Sequence, residues 1–299
     1  MLDRQHLAIL RELDRRGSLT AAAAALNVTQ PAVSHLMRKL EARHGVALWE
    51  REGRGLRLTP AGEHLLGVAR RVLPQIEAAE RALADFAAGR RGRLRVGMEC
   101  HPCEKWLARV TGPYLRAWPE VEFDMGVAFR FGALDALLTH EIDVMITPDP
   151  AQIPEARFTP VFDYELVIAV APDHPLAGAG RIGAEDFAGE VLITYPVAVD
   201  RLDIFTRLLL PAGIAPRAHR TVETTEVMLQ MVAAGRGISA VPDWLLKEDE
   251  TGRSLVPLRV GDGGIAKSVH VGMRTGEEGA PHLAGFLSIA AAEGAKRGA

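Results

Sequence analysis

Ser18-Leu-Thr-Ala-Ala-Ala-Ala-Ala-Leu-Asn-Val-Thr-Gln-Pro-Ala-Val-Ser-His-Leu-Met-Arg-Lys39 reads as two short helices joined by a tight turn. Ser18 is placed to cap the first helix and Thr29 the second, with Pro31 in the second helix's first turn and Asn27 at the turn between them. Leu19, Ala22, Ala23 and Leu26, then Val33, Leu36, Met37 and Leu40, recur at helical spacing and predict that the helices pack together. Gln30, Ser34, His35 and Arg38 are left for the opposite face of the second helix. Such a pair sets polar side chains against base edges and phosphates in a major groove, and the reading names Ser18, Thr29 and Pro31 along with them. The bland reading of the same stretch is an alanine-rich helical hairpin.

Downstream, Leu48 to Thr59 alternates apolar and polar residues around Gly53 and Gly55, predicting a β-hairpin that would form a wing beside the second helix. Arg51, Arg54 and Arg57 lie on or next to it, as phosphate or minor-groove contacts or as a solvated basic loop. Charge follows the same division. Residues 1–95 hold 17 Lys and Arg against 10 Asp and Glu, a net of +7, whereas residues 96–299 carry a net of −10, so the overall −3 conceals a basic end.

From Thr59 a long helical pattern runs to Phe86, with an apolar stripe wide enough to want a partner helix and Pro74 predicting a kink or break. Gly89-Arg-Arg-Gly-Arg93 reads as an exposed hinge. Beyond it strands and helices alternate. Strands are expected at 94–98, 121–129, 142–146, 165–171, 191–195, 218–222, 238–241 and 268–273, and helices at 132–140, 201–210, 225–234 and 281–293. A further helix, 102–118, is expected to break at Gly112-Pro113. The alternation implies an α/β fold, with parallel sheet in two lobes joined by two crossovers.

No apolar run approaches the ~20 residues of a membrane span, and no cleavable leader is recognisable, so a soluble cytoplasmic protein is expected. Two cysteines exclude a disulfide framework as the source of stability. Gly-x-Ser-x-Gly, His-Glu-x-x-His and phosphate-binding glycine loops are all missing, and nothing argues for an enzyme.

Gly17 to Ala23, Thr29 to Ser34, Leu40-Glu41, Leu58-Thr-Pro-Ala-Gly62 and Pro172-Asp-His-Pro-Leu176 together resemble the LysR-type transcriptional regulators over essentially the whole chain. Glu99-Cys-His-Pro-Cys103 with Trp106-Leu107, Phe162 to Glu165, Tyr195-Pro-Val197 with Arg201-Leu-Asp203, and Met228 to Gly237 are most similar to the branch that regulates methionine biosynthesis in response to homocysteine. The resemblance implies a winged helix-turn-helix over 1–60, a dimerising linker helix over 61–89, and a periplasmic-binding-protein-like effector domain over 92–299. Its lobes would be 92–163 with 267–299, and 164–266. It also implies double-stranded DNA as partner, dimers assembled into tetramers, RNA polymerase as a further partner, no cofactor, and homocysteine as effector in the interlobe cleft.

Cys100-His-Pro-Cys103 sits between a strand and a helix, where open α/β sheets bind ligands. Four readings stay open for it: a dithiol redox site, a zinc site with ligands from elsewhere, packing of two small residues, and a wall of the effector pocket, which the resemblance favours. The last assigns the backbone amides of His101 and Cys103, with Thr147, to the effector carboxylate. Glu99 or Glu226 would face its ammonium, and Cys100, Phe129 and Tyr195 would wall its sulfur. For Glu99 a solvated carboxylate or an ion pair between lobes is the competing reading, for Phe129 and Tyr195 it is cleft-edge core, and for Thr224 and Thr225 it is capping of the helix they open.

Overall fold

A computed structural model describes residues 2–52, 55–87, 92–126 and 132–297. The chain divides into two compact units, Met1–Arg93 with Asp135–Ile142, and Leu94–Leu134 with Asp143–Ala299.

The first unit begins with α1 (Arg4–Arg16), α2 (Leu19–Ala25) and α3 (Gln30–His44). Gly17, at φ 71°, ends α1 in the left-handed region, and Ser18 at once caps α2 by accepting the Ala21 N–H at 3.2 Å. Asn27 supplies the turn at φ 53°, and Thr29 Oγ1 accepts the Ala32 N–H at 3.4 Å. Leu10, Ala23, Val33, Met37, Leu40 and Leu48 form the core, with Leu19, Leu26 and Leu36 packed at its edge. The wing strands β1 (Trp49–Glu52) and β2 (Gly55–Leu58) pair antiparallel, with Trp49 opposite Leu58 and Glu50 opposite Arg57.

α4 (Pro60–Ala87) is a single helix of 28 residues. Thr59 starts it by accepting the Gly62 N–H at 3.2 Å while donating to the Ala47 carbonyl at 2.7 Å. Residue 62 must be glycine, because a Cβ there would lie 2.0 Å from the Leu48 oxygen. Of the kink or break expected at Pro74, the break does not occur. Ala69 and Leu73, fully buried against Leu7 of α1, anchor the preceding turns, and ion pairs from Arg11 to Glu77 at 2.7 Å and Arg70 to Asp14 at 2.8 Å run along the same contact. Part of the apolar stripe is therefore covered by the chain's own α1, while Leu83 is 68% exposed.

After α4 come β3 (Arg93–Met98), α5 (Cys103–Ala117), β4 (Glu122–Gly126), α6 (Ala133–Leu138), β5 (Val144–Thr147), β6 (Ala156–Val170), β7 (Arg181–Ile182) and β8 (Val191–Thr194). A π-helical turn, Phe205–Leu209, leads into α7 (Leu210–Ala212). Then follow β9 (Ala218–Thr221), α8 (Thr225–Ala233), β10 (Ile238–Pro242), α9 (Asp243–Glu248), β11 (Val256–Val260), β12 (Ile265–Arg274) and α10 (Pro281–Ala295). The sheet order is β4-β3-β5-β12-β6-β10-β8-β9, with β11 pairing β6 and β7.

Strands β3 and β5 pair parallel, as do β10, β8 and β9, so each lobe has the expected parallel half-sheet. The centre departs from that expectation. β6 and β12 are the two crossovers, and they run antiparallel to each other through both lobes. Pro160 lies where the β6–β12 register shifts between Val269 and His270, a bulge position at which a missing N–H is tolerated.

Two helix expectations also change. α5 passes unbroken through Gly112-Pro113, held by the buried Trp106, Leu107, Val110 and Tyr114. The helix expected over 201–210 widens instead. The Leu210 N–H donates to the Phe205 carbonyl, five residues back, ahead of Pro211, which lacks an N–H.

Candidate functional site

On α3, Pro31, His35 and Arg38 are exposed, as is Thr29 at its cap, and Gln30 is half-buried. His35 and Arg38, three residues apart, share one face of the helix. Ser34 departs from the expected polar face: it is 9% exposed and its hydroxyl accepts the Gln30 side-chain amide at 2.8 Å. Residue 34 follows Val33 on the flank turned toward the core, so its hydroxyl orients Gln30. Arg57 is exposed on β2. The Arg51 side chain, Arg54 and Phe129 lie outside the described residues.

In the second unit, the ends of β3 and β8 and the start of β12 surround a cleft of about 130 Å³. Glu99, Cys100, His101 and Tyr195 line it. Glu99 is committed: it accepts the Gly132 and Ala133 N–H groups at 3.4 and 3.2 Å and pairs with Arg201 at 3.0 Å. Of the readings open for Glu99, the geometry matches the ion pair, with Arg201. His101 stacks on Tyr195 with ring centroids 4.3 Å apart, and the Tyr195 hydroxyl shares a 2.8 Å hydrogen bond with Thr225 Oγ1. Burial pushes the Tyr195 phenol well above its usual range, the Thr225 bond opposing this and Glu226 adding to it.

Five sequence-selected residues fall elsewhere. Thr147 is fully buried and accepts the Asp149 N–H at 3.1 Å, turned onto its own loop. Cys103 is fully buried as the first residue of α5, and its N–H donates to the Cys100 carbonyl at 3.1 Å, leaving that amide engaged in a turn rather than turned to the cleft. Thr224, Thr225 and Glu226, with Cys100 and His101, line a second recess of about 100 Å³. Thr224 holds the cap position of α8 without a side-chain capping bond, and Glu226 faces Lys105 at 3.6 Å. Cys100 and Cys103 are joined by a disulfide.

The cleft also holds charges that the sequence reading did not select: Arg201, Lys267, Asp149 and Asp203. Lys267, whose side chain is only 10% exposed, reaches Asp149 at 2.6 Å and also bonds Asp203. Burial, reinforced by Asp149, Asp203 and Asp243, raises the Tyr164 phenol beside them. A lysine within the apolar run of β12 was the available signal.

Residues 4–63 match the family described as bacterial regulatory helix-turn-helix protein, lysR family, and residues 87–295 match the LysR substrate binding domain. The chain belongs to the LysR family of transcriptional regulators. This regulator is 39% identical to the HTH-type transcriptional regulator MetR of Escherichia coli K12, over 97% of its own length and 90% of the relative's. The solved regulatory domain of NMB2055 (MetR) from N. meningitidis is 35% identical, covering 69% of the regulator and 95% of that chain, with a TM-score of 0.63. Full-length CbnR with its target DNA shares the fold at 24% identity and a TM-score of 0.61 over 98% of the regulator. The helix-turn-helix implies DNA binding, and these relatives are regulators rather than enzymes.

Proposed function

We propose that this LysR-family regulator controls methionine-biosynthesis genes, binding interrupted palindromes near promoters as a dimer of dimers and responding to homocysteine in the cleft. The observation that carries the effector reading is the cleft's paired charge. Arg201 offers a guanidinium to a carboxylate, Asp149 and Asp203 offer carboxylates to an ammonium, and Cys100, His101 and Tyr195 form a soft wall between Glu99 and the second lobe. An α-amino acid exchanges its two charges into pairs already present, so neither partner is left buried and alone. The identity to MetR supports the gene class. Effector binding would couple to DNA through a preference for one arrangement of the two lobes, with a coupling of ~1–3 kcal/mol.

Calorimetric titration of the full-length, reduced protein with homocysteine tests this, with methionine and homoserine as controls. Saturable binding of homocysteine that shifts operator affinity is the expected result, and a folded protein that binds none of the three ends the reading. The disulfide favours a second reading, in which an oxidant sets the state of Cys100 and Cys103. Loss of an oxidant response in the Cys100→Ser, Cys103→Ser variant, with homocysteine binding intact, would support it.

A further inference from the structure

We propose that Cys100 is a covalent capture point for a small thiol-bearing amino acid. The inference rests on the homocysteine reading above. The disulfide does not stand apart from the cleft: Cys100 lines both the main cleft and the neighbouring recess. Its partner is differently placed. Cys103 is wholly buried and lines neither recess, whereas Cys100 lines both and retains 7% exposure, so Cys100 is the member of the pair that a ligand meets.

The exchange balances without an added oxidant. The ligand thiolate attacks Cys100 Sγ, a new sulfur–sulfur bond forms to the ligand, the Cys100–Cys103 bond breaks, and the electron pair leaves on Cys103 Sγ, which takes up a proton. The ligand sulfur is oxidised and Cys103 is reduced. Cys103 takes the leaving role by position: it lines neither recess and is fixed as the first residue of α5, so attack comes at Cys100 and the bond opens toward Cys103. Arg201, which lines the same cleft and pairs with Glu99 next to Cys100, would hold the carboxylate while the sulfur meets Cys100.

This chemistry supplies a discrimination that contact alone does poorly. A thioether differs from the thiol by one methyl group, worth roughly 10- to 200-fold in a fitted pocket, but it cannot undergo exchange at all. Methylation of the ligand sulfur would erase the signal completely.

The test uses the full-length oxidised protein, incubated with homocysteine, then acid-quenched and alkylated with N-ethylmaleimide in denaturant for non-reducing intact mass and peptide mapping. The expected product carries one homocysteine on Cys100 and one maleimide on Cys103, is reversed by reductant, favours homocysteine over cysteine by roughly tenfold or more, and falls in Arg201→Ala. Saturable calorimetric binding with no adduct overturns capture and leaves the homocysteine reading standing. Absence of both binding and adduct removes both. An adduct formed equally by glutathione and indifferent to Arg201→Ala, or one mapped to Cys103, shows unguided reduction and overturns the proposal. Cys100→Ser with Cys103→Ser must give no adduct, and its circular dichroism and urea denaturation report that the protein is folded.

Discussion

Arg201→Ala separates the binding role of the cleft from its structural role. The guanidinium lies 3.0 Å from Glu99, with the Arg201 side chain 37% exposed and that of Glu99 9% exposed. An ion pair with one partner this open contributes only about 0.5–1 kcal/mol to folding, and Glu99 keeps the Gly132 and Ala133 N–H groups when Arg201 is gone. A ligand carboxylate loses more. A hydrogen bond to a charged group contributes ~1.5–3 kcal/mol, so homocysteine affinity is expected to fall roughly 10- to 150-fold. Arg201→Lys keeps the charge without the planar fork and should lie between. Calorimetry reads the affinity and urea denaturation the stability. A folded Arg201→Ala protein that binds homocysteine within about threefold of the parent refutes the assignment of Arg201 to the carboxylate.

Asp143→Asn tests the buried network of lobe 1, where the carboxylate takes Arg95 Nη2 at 2.7 Å and Arg274 at 3.1 Å; about 3–5 kcal/mol should be lost at pH 7 by urea denaturation. Burial raises the Asp143 carboxyl, but the Arg95 hydrogen bond and charge, with Arg274, bring it below its usual value, so its stabilisation is present above about pH 4 and lost as pH falls through the depressed value, and the gap between variant and parent should close there. Gly62→Ala drives a Cβ to within 2.0 Å of the Leu48 oxygen; a loss of ~1–3 kcal/mol in the DNA-binding unit is expected, seen as weaker operator binding with homocysteine titration unchanged. His35→Ala should relax base preference at one position of each half-site by ~1–3 kcal/mol, and equal losses on every sequence would remove it from base reading. Arg57→Ala should weaken binding to all sequences and lower the salt slope by about one, measured by anisotropy across a salt series.

The first unit was legible because its signals are local. Caps at Ser18 and Thr29, a left-handed Asn27 and 3.6-residue spacing are read within a few residues, and the structure places each accordingly. Ser34 was misplaced because helical spacing locates a residue on the flank of a stripe without saying which way its hydroxyl turns. In the second unit, most strands and helices could be read, but the first half of β6 could not. Pro160 interrupts its alternation, and the bulge that accommodates it is formed with β12, over 100 residues later. Neither Pro74 nor Pro113 ends its helix, for a related reason: burial of the neighbouring turns outweighs one lost hydrogen bond, and burial is a tertiary fact. The cleft followed the same rule. Residues at strand ends near Cys100 could be named from order alone, whereas Lys267, Asp149 and Asp203 come together only when β12 closes the sheet.

That closure sets an order of assembly. β12 pairs with both β5 and β6 at the centre of the sheet, yet every other strand among the described residues is made before it. On a ribosome the helix-turn-helix, wing and α4 are made before the sheet of the second unit and need from later sequence only 135–142, which belongs to the same unit, and domains of this kind fold as they appear. The second unit cannot complete its sheet until residue 274 is free, because β12 pairs with β5 and β6, which precede it by about 100 residues or more. During each round of synthesis there is thus an interval in which the reader of DNA exists and its controller does not. A chain cut short before β12 would be left in that condition, with a folded DNA-binding unit and no cleft to govern it.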